Sequence, residues 1–254
     1  MKIVFFDIDG TLATGTDVPP GAQEAVRLLR AGGNLSFICT GRPLSYVRDH
    51  FSQYADGFIC HNGRLAVMND KVIYDHPMPK DMIAAVTERL DRIGAGYVFF
   101  EPECAYYTGE REGFERMQQV WKPGFLKEGF DPEHAKVYNF DVFFRDRAMR
   151  DAIEVALSDM CIMNPHGPHP SADMTIIGID KGSALKAVGE YLNVSPEDLY
   201  AFGDGMNDIC MLDAAGHGIA MGNAMPEVKK HAEYVTEDID RDGIFLGLKH
   251  YGLI

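Results

Sequence analysis

The sequence predicts an α/β protein in which a largely parallel sheet is interrupted by an inserted α+β segment. Near both ends of the chain, short apolar runs alternate with amphipathic helical patterns, and this rhythm is typical of βαβ units. Strands that are apolar throughout and lie between helices belong to parallel sheets covered on both faces. In the middle of the chain the rhythm changes to strands of alternating polarity, which indicate a separate α+β sheet.

The amino-terminal part of the core contains the first βαβ units. The predicted strands are 2–6, 35–39 and 57–60, and the predicted helices are 20–31 and 43–54. Residues 64–75 predict a hairpin that turns at Asn69 and Asp70, a residue pair that suits a tight turn. An amphipathic helix over 79–93 follows the hairpin.

The carboxyl-terminal part returns to the parallel rhythm after a different middle segment. The core helices there are predicted at 182–192, 207–214 and 225–232, and the strands at 199–203, 218–222 and 233–236. In the middle segment, strands are predicted at 96–101, 104–109, 136–145, 160–164 and 172–178, and a helix at 147–158. Proline and glycine residues punctuate both junctions. The expected domains are therefore a core of 1–79 and 179–254 and an inserted α+β domain of 80–178.

Composition and charge narrow the class of protein. The 254 residues carry a formal net charge of −14, which argues against a surface that tracks nucleic-acid phosphates. No window approaches the ~18 consecutive apolar residues of a membrane span, and the chain begins with a strand rather than a signal peptide. The five cysteines are widely spread and form no CxxC pair, so reduced core thiols are expected. We expect a cytoplasmic protein with no nucleic-acid or membrane partner; the oligomeric state is left open.

Four aspartates follow predicted strands, where ligands of an open parallel sheet bind. Asp7 and Asp9 come after the first strand, and Asp204 and Asp208 come after the strand at 199–203. If these strand ends converge, each like-charge pair at ~4 Å costs roughly 4 kcal/mol at an effective dielectric of 20. Oxygen ligands without a nearby His or Cys favour a hard cation. The sequence therefore predicts a Mg²⁺ site.

Two further stretches supply groups suited to a phosphate. Thr40, Gly41 and Arg42 follow the strand at 35–39 and offer a hydroxyl and backbone donors at a helix start. Lys181 stands alone as a positive charge ahead of another helix. Four carboxylates and a phosphate dianion exceed the charge that Mg²⁺ and one lysine can neutralise, so one carboxyl is expected to hold a proton, as general acid catalysis requires.

These stretches together resemble the four motifs of the haloacid dehalogenase (HAD) superfamily. The motifs read "DIDGT" (7–11), "CTGR" (39–42), "DKGSAL" (180–185) and "GDGMND" (203–208). The insert between the second and third motifs is similar to the large cap of the Cof-type sugar-phosphatase-like subfamily. The resemblance implies a Rossmann-like core with a cap that closes over it. It also implies a Mg²⁺-dependent phosphatase of small phosphorylated metabolites, sugar phosphates above all.

The resemblance also implies roles for individual residues. Asp7 would attack phosphorus and form an aspartyl-phosphate, and Asp9 would act as the general acid and base. The metal ligands would be the carboxylates of Asp7 and Asp204 and the backbone carbonyl of Asp9. Asp208 would support the site by orienting Lys181 or metal-bound water.

The same resemblance places other residues around the phosphate. The implied phosphate-binding residues are Thr40, Gly41, Arg42, Lys181 and Asn207. For Arg42, a contact with an anionic substrate and a pair with a surface acid are equally open.

Several alternatives stay beside this interpretation. Arg64 stands where the subfamily often has a small residue, and we expect an exposed strand position for it. His166 and His169 have a metal-like spacing but lie in a Pro- and Gly-rich loop, so a solvated loop is expected. Rival functions are a phosphomutase or other phosphotransferase using the same aspartyl-phosphate, and a non-catalytic binding protein. A dehalogenase proper has no need of Asp9.

Overall fold

The computed structural model describes residues 1–167 and 169–254. The strands are β1 (Ile3–Phe6), β2 (Leu35–Cys39), β3 (Gly57–Cys60), β4 (Leu65–Met68), β5 (Lys71–Asp75), β6 (Gly96–Phe100), β7 (Ala105–Thr108), β8 (Leu126–Lys127), β9 (Asn139–Phe143), β10 (Cys161–Pro165), β11 (Ser171–Ile176), β12 (Leu199–Gly203), β13 (His217–Ala220) and β14 (Tyr234–Val235). The α-helices are α1 (Pro20–Ala31), α2 (Leu44–Phe51), α3 (Lys80–Ile93), α4 (Arg111–Val120), α5 (Arg147–Leu157), α6 (Lys181–Tyr191), α7 (Ile209–Ala214), α8 (Pro226–Lys229) and α9 (Gly243–His250). Short 3-10 turns lie at Ser52–Tyr54, His61–Gly63, Pro196–Asp198, Met206–Asp208 and Ile239–Arg241.

The chain divides into two compact units, which confirms the α/β core with an inserted α+β segment. The first unit comprises Met1–Asp75 and Ile179–Ile254, and the second comprises His76–Gly178. The second unit thus begins a few residues earlier than the expected boundary at residue 80. The backbone explains this difference, because the amide of Met78 already donates to the carbonyl of Val137 inside the second unit (2.7 Å).

The first unit is built on an eight-stranded sheet in the order β14-β13-β12-β1-β2-β3-β4-β5. The six strands from β14 to β3 pair in parallel, and the β4–β5 hairpin adds two antiparallel strands at one edge. All four residues of β1 are fully buried, as a strand covered on both faces must be. The predicted hairpin turn is confirmed, since Asn69 and Asp70 both have left-handed φ angles of 50° and 60°.

Helices cover this sheet through apolar stripes. In α1 the buried positions Ala22, Ala25, Val26 and Leu29 recur at helical spacing, and each large apolar side chain contributes about 1.5–3 kcal/mol by leaving water. The chain of α9 carries two glycines and was not predicted as a helix. Its close packing explains them, because a Cβ at Gly247 would lie 2.5 Å from the ring of Phe202.

The second unit has a six-stranded sheet in the order β10-β11-β9-β6-β7-β8. Its strands are antiparallel except for the β7–β8 pair. Buried residues of α3 and α5 pack with strand residues in one apolar cluster. Phe99, Phe100 and Tyr107 are buried in the core of this unit, whereas Tyr106 is partly exposed.

Some element bounds differ from the sequence prediction. The strand expected at 136–145 is restricted to Asn139–Phe143, and the helix expected at 225–232 ends at Lys229. All five cysteines are free, four of them buried, as expected for reduced thiols. Among the helices of the described residues, none combines the length and the apolarity needed to cross a bilayer.

Candidate active site

The carboxyl ends of three neighbouring parallel strands bring the predicted site residues together. In the register of the sheet, Phe6 of β1 lies between Ile38 of β2 and Phe202 of β12. The residues that leave these strands therefore emerge side by side at one edge, and the amide of Asp7 donates to the carbonyl of Phe202 (3.0 Å). Asp7, Thr40 and Asp204 meet for this reason.

Three carboxylates form a cluster at this edge. Asp7, Asp204 and Asp208 each contribute one carboxylate oxygen, and these three oxygens lie within 4.8 Å of one another. Among residues 1–167 and 169–254, this is the group of acidic side chains close enough together to hold a metal ion. Asp204 also accepts a hydrogen bond from the hydroxyl of Thr11 (2.8 Å). A carboxylate donor set of this kind fits a hard cation such as Mg²⁺.

The oxygens of Asp208 are already engaged. Its Oδ2 accepts hydrogen bonds from the amides of Asp204 and Gly205 (both 2.9 Å), and its Oδ1 accepts one from Lys181 (2.6 Å). Asp208 is fully buried, and although it directly precedes α7 its side chain makes no cap hydrogen bond to that helix. Asp208 thus contacts Lys181 directly, as a residue that orients this lysine must.

Lys181 is the buried cation of the cluster. Its side chain is 1% exposed, and its Nζ lies 2.6 Å from oxygens of both Asp7 and Asp208. Burial alone would lower the pKa of Lys181, but the carboxylates of Asp208 and Asp7 raise it well above its usual range. The lysine therefore stays charged. Asp180 fixes the start of α6, the helix that begins with Lys181, because its carboxylate accepts a hydrogen bond from the amide of Ser183 (2.8 Å).

Burial opposes ionisation of the carboxyl groups beside this lysine. Burial and the charge of Asp208 raise the pKa of Asp7 to about 8, although Lys181 lowers it. Burial likewise raises the pKa of Asp204 to about 6. Negative charge on Asp7 and Asp204 is therefore only partly compensated within this cluster. A divalent cation held by these two residues would offset it, so the residues fit a Mg²⁺ ion.

Asp9 lies apart from the carboxylate cluster. Its side chain is 48% exposed and forms a two-point ion pair with Arg42, with Nε–Oδ2 and Nη2–Oδ1 distances of 3.1 Å. The guanidinium carbon of Arg42 also lies 5.0 Å from the centre of the Tyr46 ring. Of the two alternatives for Arg42, the structure shows a pair with an acid, and that acid is Asp9. The carboxylate of Asp9 is not one of the clustered oxygens.

The loop after β2 is shaped by its own backbone and by a neighbouring turn. Thr40 is buried, and its hydroxyl accepts a hydrogen bond from the amide of Arg42 (3.2 Å). Gly41 lies against the side-chain amide of Asn62, whose oxygen would be 2.9 Å from a Cβ at position 41. The same oxygen accepts a hydrogen bond from Nδ2 of Asn207 (3.3 Å).

The turn from His61 to Gly63 was not predicted as part of the site. All three of its residues have left-handed φ angles, 54°, 52° and 93°, and all are buried. A left-handed conformation costs a non-glycine residue on the order of 1–2 kcal/mol, and such residues concentrate at functional sites. The Asn-Gly pair was the available signal, since it marks turns in sequences.

The prediction of an exposed strand position for Arg64 is wrong. Arg64 is 4% exposed, and its amide donates to the carbonyl of His61 (3.3 Å), so it closes the 3-10 turn before β4 begins at Leu65. Arg64 is buried because the turn that it closes, His61–Gly63, is itself buried. The solvated loop expected at His166 and His169 is confirmed, because both side chains are exposed.

The chain is similar in sequence and in structure to known phosphatases. Over residues 4–248 the chain matches the profile of a family described as haloacid dehalogenase-like hydrolases. It is 30% identical to YkrA of Bacillus subtilis (strain 168), which bears the name of a phosphatase, over 100% of this chain and 98% of YkrA. It is 31% identical to YcsE of the same organism, a 5-amino-6-(5-phospho-D-ribitylamino)uracil phosphatase, over 100% of this chain and 96% of YcsE. The solved structure of the HAD subclass IIB sugar phosphatase BT4131 matches with a TM-score of 0.83 at 29% identity over 100% of both chains.

Proposed function

This chain belongs to the haloacid dehalogenase-like hydrolases and is a phosphatase of the Cof type, and from that premise we propose that it hydrolyses small phosphate monoesters with Mg²⁺, through an aspartyl-phosphate on Asp7. The observation that carries the proposal is the buried cluster in which Lys181 lies 2.6 Å from both Asp7 and Asp208, beside Asp204. Such a cluster is costly for stability alone and useful for binding a phosphoryl group together with a cation.

The first chemical step is transfer of the phosphoryl group to Asp7. A carboxylate oxygen of Asp7 forms a bond to phosphorus while the bond from phosphorus to the ester oxygen breaks. Asp9 donates a proton to the departing oxygen, so that an alcohol leaves rather than an alkoxide. Lys181 holds the other end of the Asp7 carboxylate in place, which orients the nucleophile before the substrate binds.

The second step hydrolyses the intermediate. Asp9, which has given up its proton, now accepts one from a water molecule that attacks phosphorus. The bond between phosphorus and Asp7 breaks, and inorganic phosphate and the free Asp7 carboxylate are restored. The half-exposed position of Asp9, outside the carboxylate cluster, is compatible with exchange of its proton with solvent.

The cation would be held by the carboxylates of Asp7 and Asp204 and the backbone carbonyl of Asp9. When bound, Mg²⁺ supplies positive charge that neutralises the carboxylates and the phosphoryl oxygens. Thr40, Gly41 and Asn207 surround the same edge of the sheet and would donate hydrogen bonds to the phosphoryl oxygens.

Polyol and sugar phosphates are the proposed substrate class. Of the similar proteins, YcsE bears the name of a phosphatase for a phosphoribitylamino compound and BT4131 that of a sugar phosphatase. Both substrates are phosphate monoesters of a polyhydroxylated carbon chain. A panel of sugar, polyol, nucleotide and cofactor phosphates, compared by kcat/KM for phosphate release, tests the class directly.

The Asp7→Asn variant tests the covalent step. It removes the nucleophile at nearly unchanged shape, so phosphate release should fall below detection and acid-quenched protein should carry no label from a ³²P-labelled substrate. Asp70→Asn is the matched control, because that side chain is 91% exposed in the hairpin turn. Appreciable turnover by Asp7→Asn would refute the covalent mechanism. Isomerised substrate without free phosphate would identify a phosphomutase instead.

Removal of the metal tests the cofactor. Activity should be lost in excess chelator and return when Mg²⁺ is added, because Asp7 and Asp204 are expected to ionise together only beside a cation. Full activity after exhaustive chelation would contradict the proposed use of Mg²⁺ and leave the family membership untouched.

A further inference from the structure

Asn62 lies at the point where three loops of the proposed site meet. Its side chain is 3% exposed, and its backbone amide donates to the carbonyl of Thr40 (3.1 Å). Its side-chain oxygen accepts a hydrogen bond from Nδ2 of Asn207 (3.3 Å) and packs against Gly41. One asparagine thus touches both the loop after β2 and the loop after β12.

The turn that carries Asn62 also packs against the start of α6. A Cβ at Gly63 would lie 2.0 Å from the carbonyl oxygen of Asp180 and 2.7 Å from the amide nitrogen of Lys181. Only backbone fits in that space, and Gly63 has a φ of +93° that glycine adopts freely. The turn therefore holds its left-handed shape against the residue that begins the helix of Lys181.

The hydrogen bond from Asn207 to Asn62 fixes the side-chain amide of Asn207. A primary amide has two N–H groups and one oxygen, and its two orientations are nearly equal in shape. Because the oxygen of Asn62 can only accept, it selects the orientation in which Nδ2 of Asn207 faces it. The second N–H of Asn207 then remains as a donor for an anionic oxygen.

We propose that Asn62 is a positioning residue of the phosphate site, which orients the amide of Asn207 and braces Gly41 so that both can bind phosphoryl oxygens. This inference rests on the proposed function and extends it by one residue. The left-handed turn explains why the residue is an asparagine. Asparagine tolerates this backbone conformation better than glutamine, the other residue with a side-chain amide.

Variants at Asn62 and Asn207 test the inference with inorganic phosphate as the probe. Asn62→Gly removes the side chain at a position where glycine keeps the backbone, and Asn207→Ala removes its partner. Competitive inhibition of p-nitrophenyl phosphate hydrolysis gives Ki for phosphate, and calorimetry with Mg²⁺ present gives phosphate binding without turnover. We expect Asn62→Gly to raise Ki about tenfold, the scale of one hydrogen bond to a charged group.

The double variant distinguishes positioning from a general effect on the fold. If Asn62 acts through Asn207, Asn62→Gly together with Asn207→Ala should raise Ki no further than the larger single effect. Asn62→Asp keeps an acceptor for Asn207 and tolerates the left-handed turn but adds a negative charge. It should therefore weaken phosphate binding at least as much as Asn62→Gly, and because the added charge is buried it should also lower Tm.

A matched control isolates the effect of the substitution itself. Asn69→Gly makes the same change at another left-handed asparagine (φ 50°), exposed in the hairpin turn, and should leave Ki unchanged. The inference is overturned if Asn62→Gly binds phosphate like the wild type, or if its effect adds fully to that of Asn207→Ala. A lower Tm with unchanged Ki would assign Asn62 to folding alone.

Failure of the proposed function is a separate result. A wild-type protein that neither hydrolyses phosphate esters nor binds phosphate in the presence of Mg²⁺ overturns both proposals. An active wild-type protein with an unaffected Asn62→Gly variant overturns the inference on Asn62 alone.

Discussion

Replacement of Lys181 by methionine tests the charge balance of the site. The Lys181 side chain is 1% exposed, and its Nζ lies 2.6 Å from both Asp7 and Asp208. Lys181→Met keeps much of the side-chain length and removes the charge, so two buried carboxylates lose their partner. Removing one partner of a buried ion pair costs about 3–5 kcal/mol, because the remaining charge is left uncompensated.

This cost converts into a measurable fall in Tm. For a protein of this size, about 1 kcal/mol corresponds to roughly 2–4 °C, so Lys181→Met should melt about 6–20 °C below the wild type. The assay is thermal unfolding in chelator, followed by circular dichroism. Lys186→Met is the matched control, because Lys186 is exposed on the same helix, and its Tm should stay within about 2 °C.

A second substitution should recover part of the loss. In the Lys181→Met background, Asp208→Asn removes one uncompensated charge and should raise Tm, although the same change in the wild-type protein should lower it. The reasoning is refuted if Lys181→Met melts as the Lys186→Met control does. It is equally refuted if Asp208→Asn lowers Tm by the same amount in both backgrounds.

Three further predictions concern pH, proton transfer and metal binding. The pKa of Asp7 is raised in the folded protein to about 8, so its contribution to stability is present at low pH and is lost as pH rises from its ordinary pKa near 4 towards 8. Metal-free protein should therefore lose Tm between about pH 5 and 8, and Asp7→Asn should reduce this fall. An unchanged or rising Tm in that window would contradict the burial argument. Arg42→Gln breaks the two-point pair with Asp9 and should lower kcat about tenfold for an alkyl phosphate. The loss should be smaller for p-nitrophenyl phosphate, because its leaving group needs no proton. Equal losses for the two substrates would exclude a role of the Arg42–Asp9 pair in proton donation. Gly10→Ala would place a Cβ 2.3 Å from an oxygen of Asp204 at a φ of +87°, so the variant should need more Mg²⁺ for half-maximal activity, and a wild-type requirement would show that Asp204 is not a ligand.

The meeting of Asp7, Thr40 and Asp204 could be predicted from the sequence because it depends on topology alone. Parallel strands end at one edge of a sheet, so any residue that directly follows such a strand lies near the others. Hydrophobic pattern was enough to find the strands, and the order of the motifs was enough to place the insert. This part of the site needs no knowledge of side-chain packing.

The remaining contacts depend on tertiary packing, which the sequence pattern does not contain. Nothing local to Arg42 distinguishes a bound substrate from Asp9 as its partner, since the two residues are 33 positions apart. Arg64 follows a turn that is exposed in most proteins and is buried here by the start of α6. The helix α9 has two glycines, which lower helix propensity, and is stabilised by close contact of Gly247 with β12.

The central place of β1 in its sheet has a consequence for biosynthesis. Ile3 pairs with Leu35 on one side and with Leu199 on the other, so one edge of β1, which directly precedes Asp7, has its partner only after most of the chain has been made. At ~5–20 residues added per second, the ribosome needs roughly 10–40 s to reach that partner. During this interval the nascent chain exposes an apolar, unpaired strand edge that chaperones can occupy. Any translation product that stops before Asp204 lacks two of the three carboxylates of the acidic cluster, so we expect prematurely terminated chains to be inert toward phosphate esters.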